Sequence, residues 1–95
     1  MSLIADVKDV LRESGTGSDV EIRDLIEAAQ SDLILTGLNA TKVNAGDALT
    51  KRAIMLYCKA HYSYDDPNIS ERFEEQYSTL KTHLSLSSEY TEEPT

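Results

Sequence analysis

Residues 53–58, Ala-Ile-Met-Leu-Tyr-Cys, decide the fold, because these six uncharged side chains form an almost continuous apolar run. A strand is conceivable on composition alone. However, Ala, Met and Leu favour helix, and the run lies inside a longer segment without glycine or proline. A helix that is apolar on nearly all sides must be surrounded by other helices. The sequence therefore predicts a central helix over residues 47–64, with Asp47 as its N-cap.

Three other segments each carry an apolar stripe at the helical spacing of three and four residues. The stripes are Ile4, Val7 and Leu11 in residues 2–13; Ile22, Leu25, Ile26, Ala29 and Leu33 in residues 18–36; and Phe73, Tyr77, Leu80 and Leu84 in residues 69–84. Together with the central helix they predict an all-α fold. We expect one domain over residues 1–84, a compact bundle of about four helices.

The ends of the first two helices are marked by turn and capping residues. Gly15 and Gly17 cannot sustain a helix, so the first helix ends before them. Ser18 and Glu21 have the spacing of a capping box at the start of the second helix. Gly37 follows its last apolar residue and is well placed to end the helix in a left-handed conformation.

The remaining connections are predicted from composition. Residues 38–46 are rich in Asn, Ala and Gly and are interpreted as a loop. Pro67 prevents the central helix from continuing, and Asn68 or Ser70 is expected to cap the fourth helix. Residues 85–95 are polar and rich in serine and glutamate, which predicts a mobile C-terminal tail.

Charge is distributed unevenly along a chain with a net charge of −8. Residues 1–37 carry −5, residues 38–64 carry +3, and residues 65–95 carry −6. Two interpretations of the basic middle segment stay open. Either the acidic residues of the second and fourth helices neutralise it within the chain, or part of it faces an acidic surface of a neighbouring subunit.

The net charge also bears on the class of partner. An acidic chain lacks the phosphate neutralisation that drives nucleic-acid binding, and it is repelled by anionic membranes. The sequence shows no positively charged leader and no run near the ~20 apolar residues that span a bilayer. We therefore expect a cytoplasmic protein whose partners are proteins, without membrane association or sequence-specific binding to nucleic acid.

Few residues suggest chemistry. Cys58 is the only cysteine, so no disulfide forms within the chain. Cys58 and His61 with Asp65 or Asp66 form a weak metal-site candidate, because a structural zinc site takes four ligands, usually in pairs. A nucleophilic pair of Cys58 with His83 is disfavoured, because a thiol in an apolar run stays protonated. The sequence therefore predicts no enzyme activity and no catalytic, metal or cofactor site.

The tyrosines allow three interpretations. They lie at the edge of the core, they form a protein interface, or, together with Lys59, they stack on nucleic-acid bases. The surrounding acidity disfavours the last of these. The residues concerned are Tyr57, Tyr62, Tyr64, Tyr77 and Tyr90.

The order of these elements resembles the head–tail connector proteins of long-tailed phages and prophages. The resemblance spans nearly the whole chain and rests on helix-packing positions, so the ordered set carries it. The matching residues are Val7-Lys8 and Leu11-Arg12; Ile22, Leu25-Ile26, Ala28-Ala29, Asp32-Leu33 and Gly37; Arg52-Ala53-Ile54, Tyr57-Cys58-Lys59-Ala60 and Tyr64-Asp65-Asp66-Pro67; and Phe73, Tyr77, Leu80-Lys81, His83-Leu84-Ser85-Leu86-Ser87 and Tyr90.

This resemblance implies a structural role in virion assembly. Such connectors self-associate into a ring of about a dozen copies below the portal protein, as closed head-to-tail assemblies do. The ring extends the DNA channel and docks a tail-side connector protein at the head–tail junction. Some members are called DNA-packaging proteins, and the family has no catalytic residues to transfer.

Under this hypothesis the inter-subunit contacts come from the basic segment and the C-terminal tail. The candidate interface residues are Lys42, Lys51, Arg52, Lys59, Tyr64 and Tyr90. The alternative is a small acidic helical regulatory module, similar to an inhibitor or an antitoxin. That module would be a stable monomer or dimer with a single tight partner.

The apolar stripes give a first prediction. Leu33→Asp or Leu56→Asp places a charge in the predicted core, where a large apolar side chain contributes about 1.5–3 kcal/mol when buried. We expect either variant to lose its helical circular dichroism signal. Glu92→Ala, in the polar tail, serves as the control and should leave the signal unchanged. A folded Leu33→Asp variant would contradict the predicted core.

Overall fold

Four long helices and two short ones make up the described part of the chain. The computed structural model describes residues 3–11, 19–45, 47–62 and 67–91, and these contain no β-strand. The helices are α1 (Leu3–Leu11), α2 (Asp19–Leu35), α3 (Ala40–Ala45), α4 (Ala48–His61), α5 (Pro67–Ser85) and α6 (Ser88–Thr91). The predicted all-α fold is confirmed.

Helix α4 occupies the centre and packs against α1, α2, α3 and α5. Its buried residues lie on most sides of the helix: Thr50, Ala53, Ile54, Leu56, Cys58 and Ala60. Asp47 is the N-cap, as predicted, and its carboxylate accepts a hydrogen bond from the Leu49 amide at 3.3 Å. The predicted end at residue 64 was wrong, because α4 ends at His61 and the backbone of Tyr62, its C-cap, is already extended.

Helix α2 follows its prediction closely. Ile22, Ile26, Ala29 and Leu33 of the predicted stripe are buried. The helix ends in a Schellman motif, because the Leu38 amide donates to the Leu33 carbonyl at 3.2 Å and the Gly37 amide to the Ile34 carbonyl at 2.9 Å. Gly37 has φ +113°, which confirms its predicted role. The capping box at Ser18 and the turn at Gly15 and Gly17 lie outside the described residues.

The predicted loop over residues 38–46 was wrong, because it contains the short helix α3. The Asn39 side-chain oxygen accepts hydrogen bonds from the Thr41 and Lys42 amides at 2.8 and 3.3 Å, which makes Asn39 its N-cap. Val43 of α3 is fully buried. Asparagine is typical of both loops and helix caps, and only the burial of Val43 distinguishes the two cases here.

Helix α5 begins two residues earlier than predicted, with Pro67 at its first position. Proline is favoured there because its missing N–H has no partner within the helix in any case. Asn68 and Ser70 therefore lie in the first turn and are not the cap. The Ser70 hydroxyl donates instead to the Ala60 carbonyl at the end of α4. On the predicted stripe, Tyr77 and Leu84 are buried, while Phe73 and Leu80 pack at the edge of the core.

The chain beyond residue 85 continues into the fold. Residues 88–91 form α6, and Tyr90 is only 7% exposed. The Tyr90 carbonyl accepts a hydrogen bond from the Asn39 amide at 2.6 Å. The prediction of a mobile tail from residue 85 was therefore wrong as far as Thr91. The segment is polar in composition, but the burial of Tyr90 holds it against the rest of the fold. Residues 92–95 lie outside the described residues.

The Schellman motif gives a second prediction. An added Cβ at Gly37 meets no atom within 4 Å, so only the backbone conformation opposes a side chain. We expect Gly37→Ala to lower the free energy of unfolding by about 1–2 kcal/mol in urea titrations. Leu35→Ala, at a neighbouring side chain that is 86% exposed, is the control. Equal stability of Gly37→Ala and the parent protein would refute this explanation.

Candidate functional site

An open groove of about 610 Å³ runs between α4 and α5. Its apolar residues are Leu49, Leu56 and Leu80, and Leu49 is 45% exposed. The other lining residues are polar or charged: Arg52, Arg72, Glu75, Gln76, Thr79 and His83. We refer to this set of nine residues as the α4–α5 groove.

The groove follows from how two amphipathic helices meet. Leu49, Arg52 and Leu56 occupy one face of α4 at spacings of three and four residues. The contact of the His61 Nε2 atom with the Glu74 carboxylate, at 2.9 Å, and the edge-on contact of Tyr57 with Tyr77 show that the helices run antiparallel. The leucines near the start of α4 therefore lie beside the second half of α5.

The two arginines of the groove, Arg52 and Arg72, form no ion pair with the described residues. Both are exposed. Arginine is enriched at protein interfaces because its planar group combines charge, hydrogen-bond donors and apolar stacking surface. A groove with an apolar floor and arginines at its rim is suited to binding a helix of another protein.

Three of the candidate interface lysines make contacts within the chain. The Lys51 amine lies 3.1 Å from Asp6 of α1. The Lys42 amine lies 3.6 Å from Glu89 of α6, and the Lys59 amine lies 4.5 Å from the centre of the Phe73 ring. The basic segment is thus partly neutralised internally. The acidic partners of Lys51 and Lys42 come from α1 and α6 and not from the predicted second and fourth helices.

Tyr90 also takes part in an internal cluster. Its hydroxyl donates a 2.6 Å hydrogen bond to the Asp47 carboxylate, and the Lys42 amine lies 4.9 Å from the centre of its ring. The hydrogen bond to Asp47 raises the pKa of Tyr90 to about 12. Among the candidate interface residues the structure thus brings Lys42 and Tyr90 together. Tyr64 lies outside the described residues. The role of the six candidate interface residues as inter-subunit contacts stays a prediction.

A second cluster, at Asp32, was not predicted. One oxygen of its carboxylate accepts from the Tyr77 hydroxyl at 2.6 Å and from the Lys81 amine at 3.0 Å, which ties α2 to α5. The hydrogen bond from Tyr77 lowers the pKa of Asp32, and burial raises the pKa of Tyr77 above its usual range. In the sequence, the only sign of this cluster was that Tyr77 and Lys81 are four residues apart and therefore lie on one face of a helix. This spacing does not indicate which acidic residue they bind.

The candidates for catalysis or metal binding lie in three different environments. Cys58 is buried, as predicted, and burial raises the pKa of its thiol to about 12, which keeps it protonated at neutral pH. His61 pairs with Glu74, while His83 lines the α4–α5 groove. Within the described ranges no three His, Cys, Asp or Glu residues are grouped to hold a metal ion. Asp65 and Asp66 fall outside those ranges.

The described helices and the groove between α4 and α5 make up a small all-α domain. A family model described as "Phage connector protein" matches residues 3–91. The chain therefore belongs to this phage connector family, which is a family of structural virion proteins, and the resemblance of its helical order to connectors is confirmed. No curated protein and no solved structure matches the chain. None of the described helices combines the length and the apolar character that crossing a membrane requires.

The two aspartate–tyrosine hydrogen bonds give a third prediction. They hold the pKa values of Asp32 and Asp47 below the usual 3.8 in the folded state. The folded state then binds fewer protons than the unfolded state, so this stability is fully present above pH 3.8 and is lost as the pH falls below it. We expect the urea midpoint to fall on acidification through that range, and to fall less in an Asp32→Asn/Asp47→Asn variant.

Asn keeps an oxygen that accepts the tyrosine hydrogen bond, so the variant removes the titration and retains the geometry. Asp24→Asn is the matched control, because Asp24 is exposed and forms no ion pair with a described residue. It should preserve the acid sensitivity of the parent protein. Identical pH profiles for the parent and the doubly substituted protein would contradict the assignment.

Proposed function

We propose that this phage connector forms a ring below the portal protein, where it extends the DNA channel and docks the next tail-side connector protein. The match of the family model to residues 3–91 is the observation that carries the proposal. That match includes every described helix, from α1 to α6. The work of the protein is then structural, and it is located at the head–tail junction of the virion after assembly in the bacterial cytoplasm.

The surface of the domain supports assembly into a ring. A ring needs one surface of the subunit to complement a different surface of its neighbour. The α4–α5 groove exposes an apolar floor and two arginines, whereas the outer side of α2 exposes aspartate and glutamate. Arg52 is therefore the candidate interface residue best placed for an inter-subunit contact, because its side chain is not engaged within the described domain.

The negative charge of the chain supports a passage for DNA. Proteins hold DNA mainly by neutralising its phosphates with lysine and arginine. A ring built from subunits of net charge −8 has few basic side chains free to neutralise the phosphates of DNA. Acidic side chains along the channel would let DNA slide through without adhering, so the partners of this proposal are the portal, the tail-side connector and other copies of the chain.

The direct test is mass measurement of the purified chain with and without the purified portal protein of the same phage. We expect the portal to recruit many copies of the chain into one large complex, because the ring matches the symmetry of the structure below which it forms. The Leu33→Asp variant, whose core is disrupted, is the control and should not be recruited. A 1:1 complex with a single soluble partner, without portal binding, would instead indicate a regulatory module.

A further inference from the structure

The outer face of α2 carries acidic and apolar side chains that are exposed in the described domain. We propose that this face of one subunit lies in the α4–α5 groove of the next subunit, as the repeated contact of the ring. This inference rests on the proposed ring. The α2 outer face consists of Val20, Asp24, Glu27, Ala28, Ser31 and Leu35, all of which are exposed.

The position of these residues follows from helix geometry. Ile22, Ala29 and Leu33 point into the core, so residues spaced along the opposite side of α2 point outwards. Two large apolar residues lie at the ends of this face: Val20 is 72% exposed and Leu35 is 86% exposed. Exposed Val and Leu at both ends of one helix face, with small and acidic residues between them, are typical of a helix that docks onto another protein.

The charges of the two surfaces are complementary. Asp24 and Glu27 form no ion pair with described residues, and the same holds for Arg52 and Arg72 in the groove. Contact would bring the carboxylates of Asp24 and Glu27 into a groove that carries two guanidinium groups, with Leu49 and its apolar neighbours beneath them. Such complementarity fixes the register of a contact and rejects wrong partners, more than it adds affinity.

The α2 outer face is long enough to fill the groove. From Val20 to Leu35 the α2 outer face is roughly 22 Å long, and from Arg72 to His83 the α5 wall of the groove is roughly 16 Å long, at 1.5 Å per residue. An α-helix is about 10 Å wide with its side chains, so it requires a wide depression with open ends. The groove has a volume of about 610 Å³ and is largely open to solvent, as such a depression must be.

The two surfaces lie on different sides of the subunit, which is the requirement for a repeating contact. They share no residue. The α2 outer face points away from α4, and the groove uses the side of α4 opposite to Ile54 and Cys58, which are buried. A subunit that has docked its α2 still presents an empty groove, so addition continues until the ring closes.

Disulfide trapping tests the contact. Ala28 lies at the middle of the α2 outer face and Gln76 at the middle of the groove, so their proximity depends little on the direction of the docked helix. We expect the Ala28→Cys/Gln76→Cys variant to form a ladder of dimers, trimers and larger species on mild oxidation at high protein concentration. The buried native thiol of Cys58, whose pKa is raised to about 12, does not compete.

The matched control is Ala28→Cys/Ser78→Cys. Ser78 is exposed on the same helix, but it lies two residues from Gln76 and therefore on the side turned away from the groove. The control should remain monomeric or yield only sporadic dimers. Dimers without larger species in the Gln76 variant, an equal ladder in the control, or no cross-linking in either protein would each overturn the proposed contact.

Charge reversal provides an independent measurement. Adding Arg52→Glu and Arg72→Glu to the trapping variant should abolish the ladder and leave at most sporadic dimers, because like charges then face each other. Adding Asp24→Arg and Glu27→Arg as well should restore the ladder, since the two surfaces then carry opposite charges again, with inverted sign. Loss without restoration would argue against electrostatic attraction between these two surfaces.

Parallel measurement of portal recruitment distinguishes the two levels of the proposal. If the parent protein is recruited by the portal but the trapping variant forms no ladder, the ring stands and this contact is wrong. If the ladder forms but the portal recruits nothing, the contact stands as self-association and the head–tail role is wrong.

Discussion

The fold depends on the burial of α4 from several sides. A helix whose residues Ala53, Ile54, Leu56 and Cys58 are all buried is stable only when other helices cover it. In a domain of this size the fraction of surface removed from water is modest, so the stability margin is small. Each large side chain of α4, at about 1.5–3 kcal/mol for full burial, therefore contributes a substantial part of that margin.

Polar contacts fix how the surrounding helices lie against one another. The hydrogen bond of Tyr77 with Asp32 joins residues 45 positions apart, and that of Tyr90 with Asp47 joins residues 43 positions apart. Apolar packing is not directional, whereas a hydrogen bond of 2.6 Å defines which residues meet. The apolar stripes bring the helices close together. The two tyrosine hydroxyl groups then fix the register in which α5 and α6 pack.

The division of the basic residues has consequences for function. Lys42, Lys51 and Lys59 are engaged with an acidic or aromatic side chain of their own subunit. Arg52 and Arg72, by contrast, reach the rim of an apolar groove and leave their charge available to a partner. The cations that stabilise the subunit are therefore different from the two that would take part in the proposed contact between subunits.

The sequence by itself determined the four long helices and their apolar stripes. The spacing of apolar residues, the Asp47 cap and Gly37 are local signals, and each acts within one or two turns of helix. The order of the helices also identified the connector family. The tertiary structure alone decided that residues 40–45 are helical, that Tyr90 is buried, and that Arg52 lines a groove while its neighbour Lys51 does not. These outcomes depend on which distant segment covers a residue, and the periodicity of one helix holds no information about that segment.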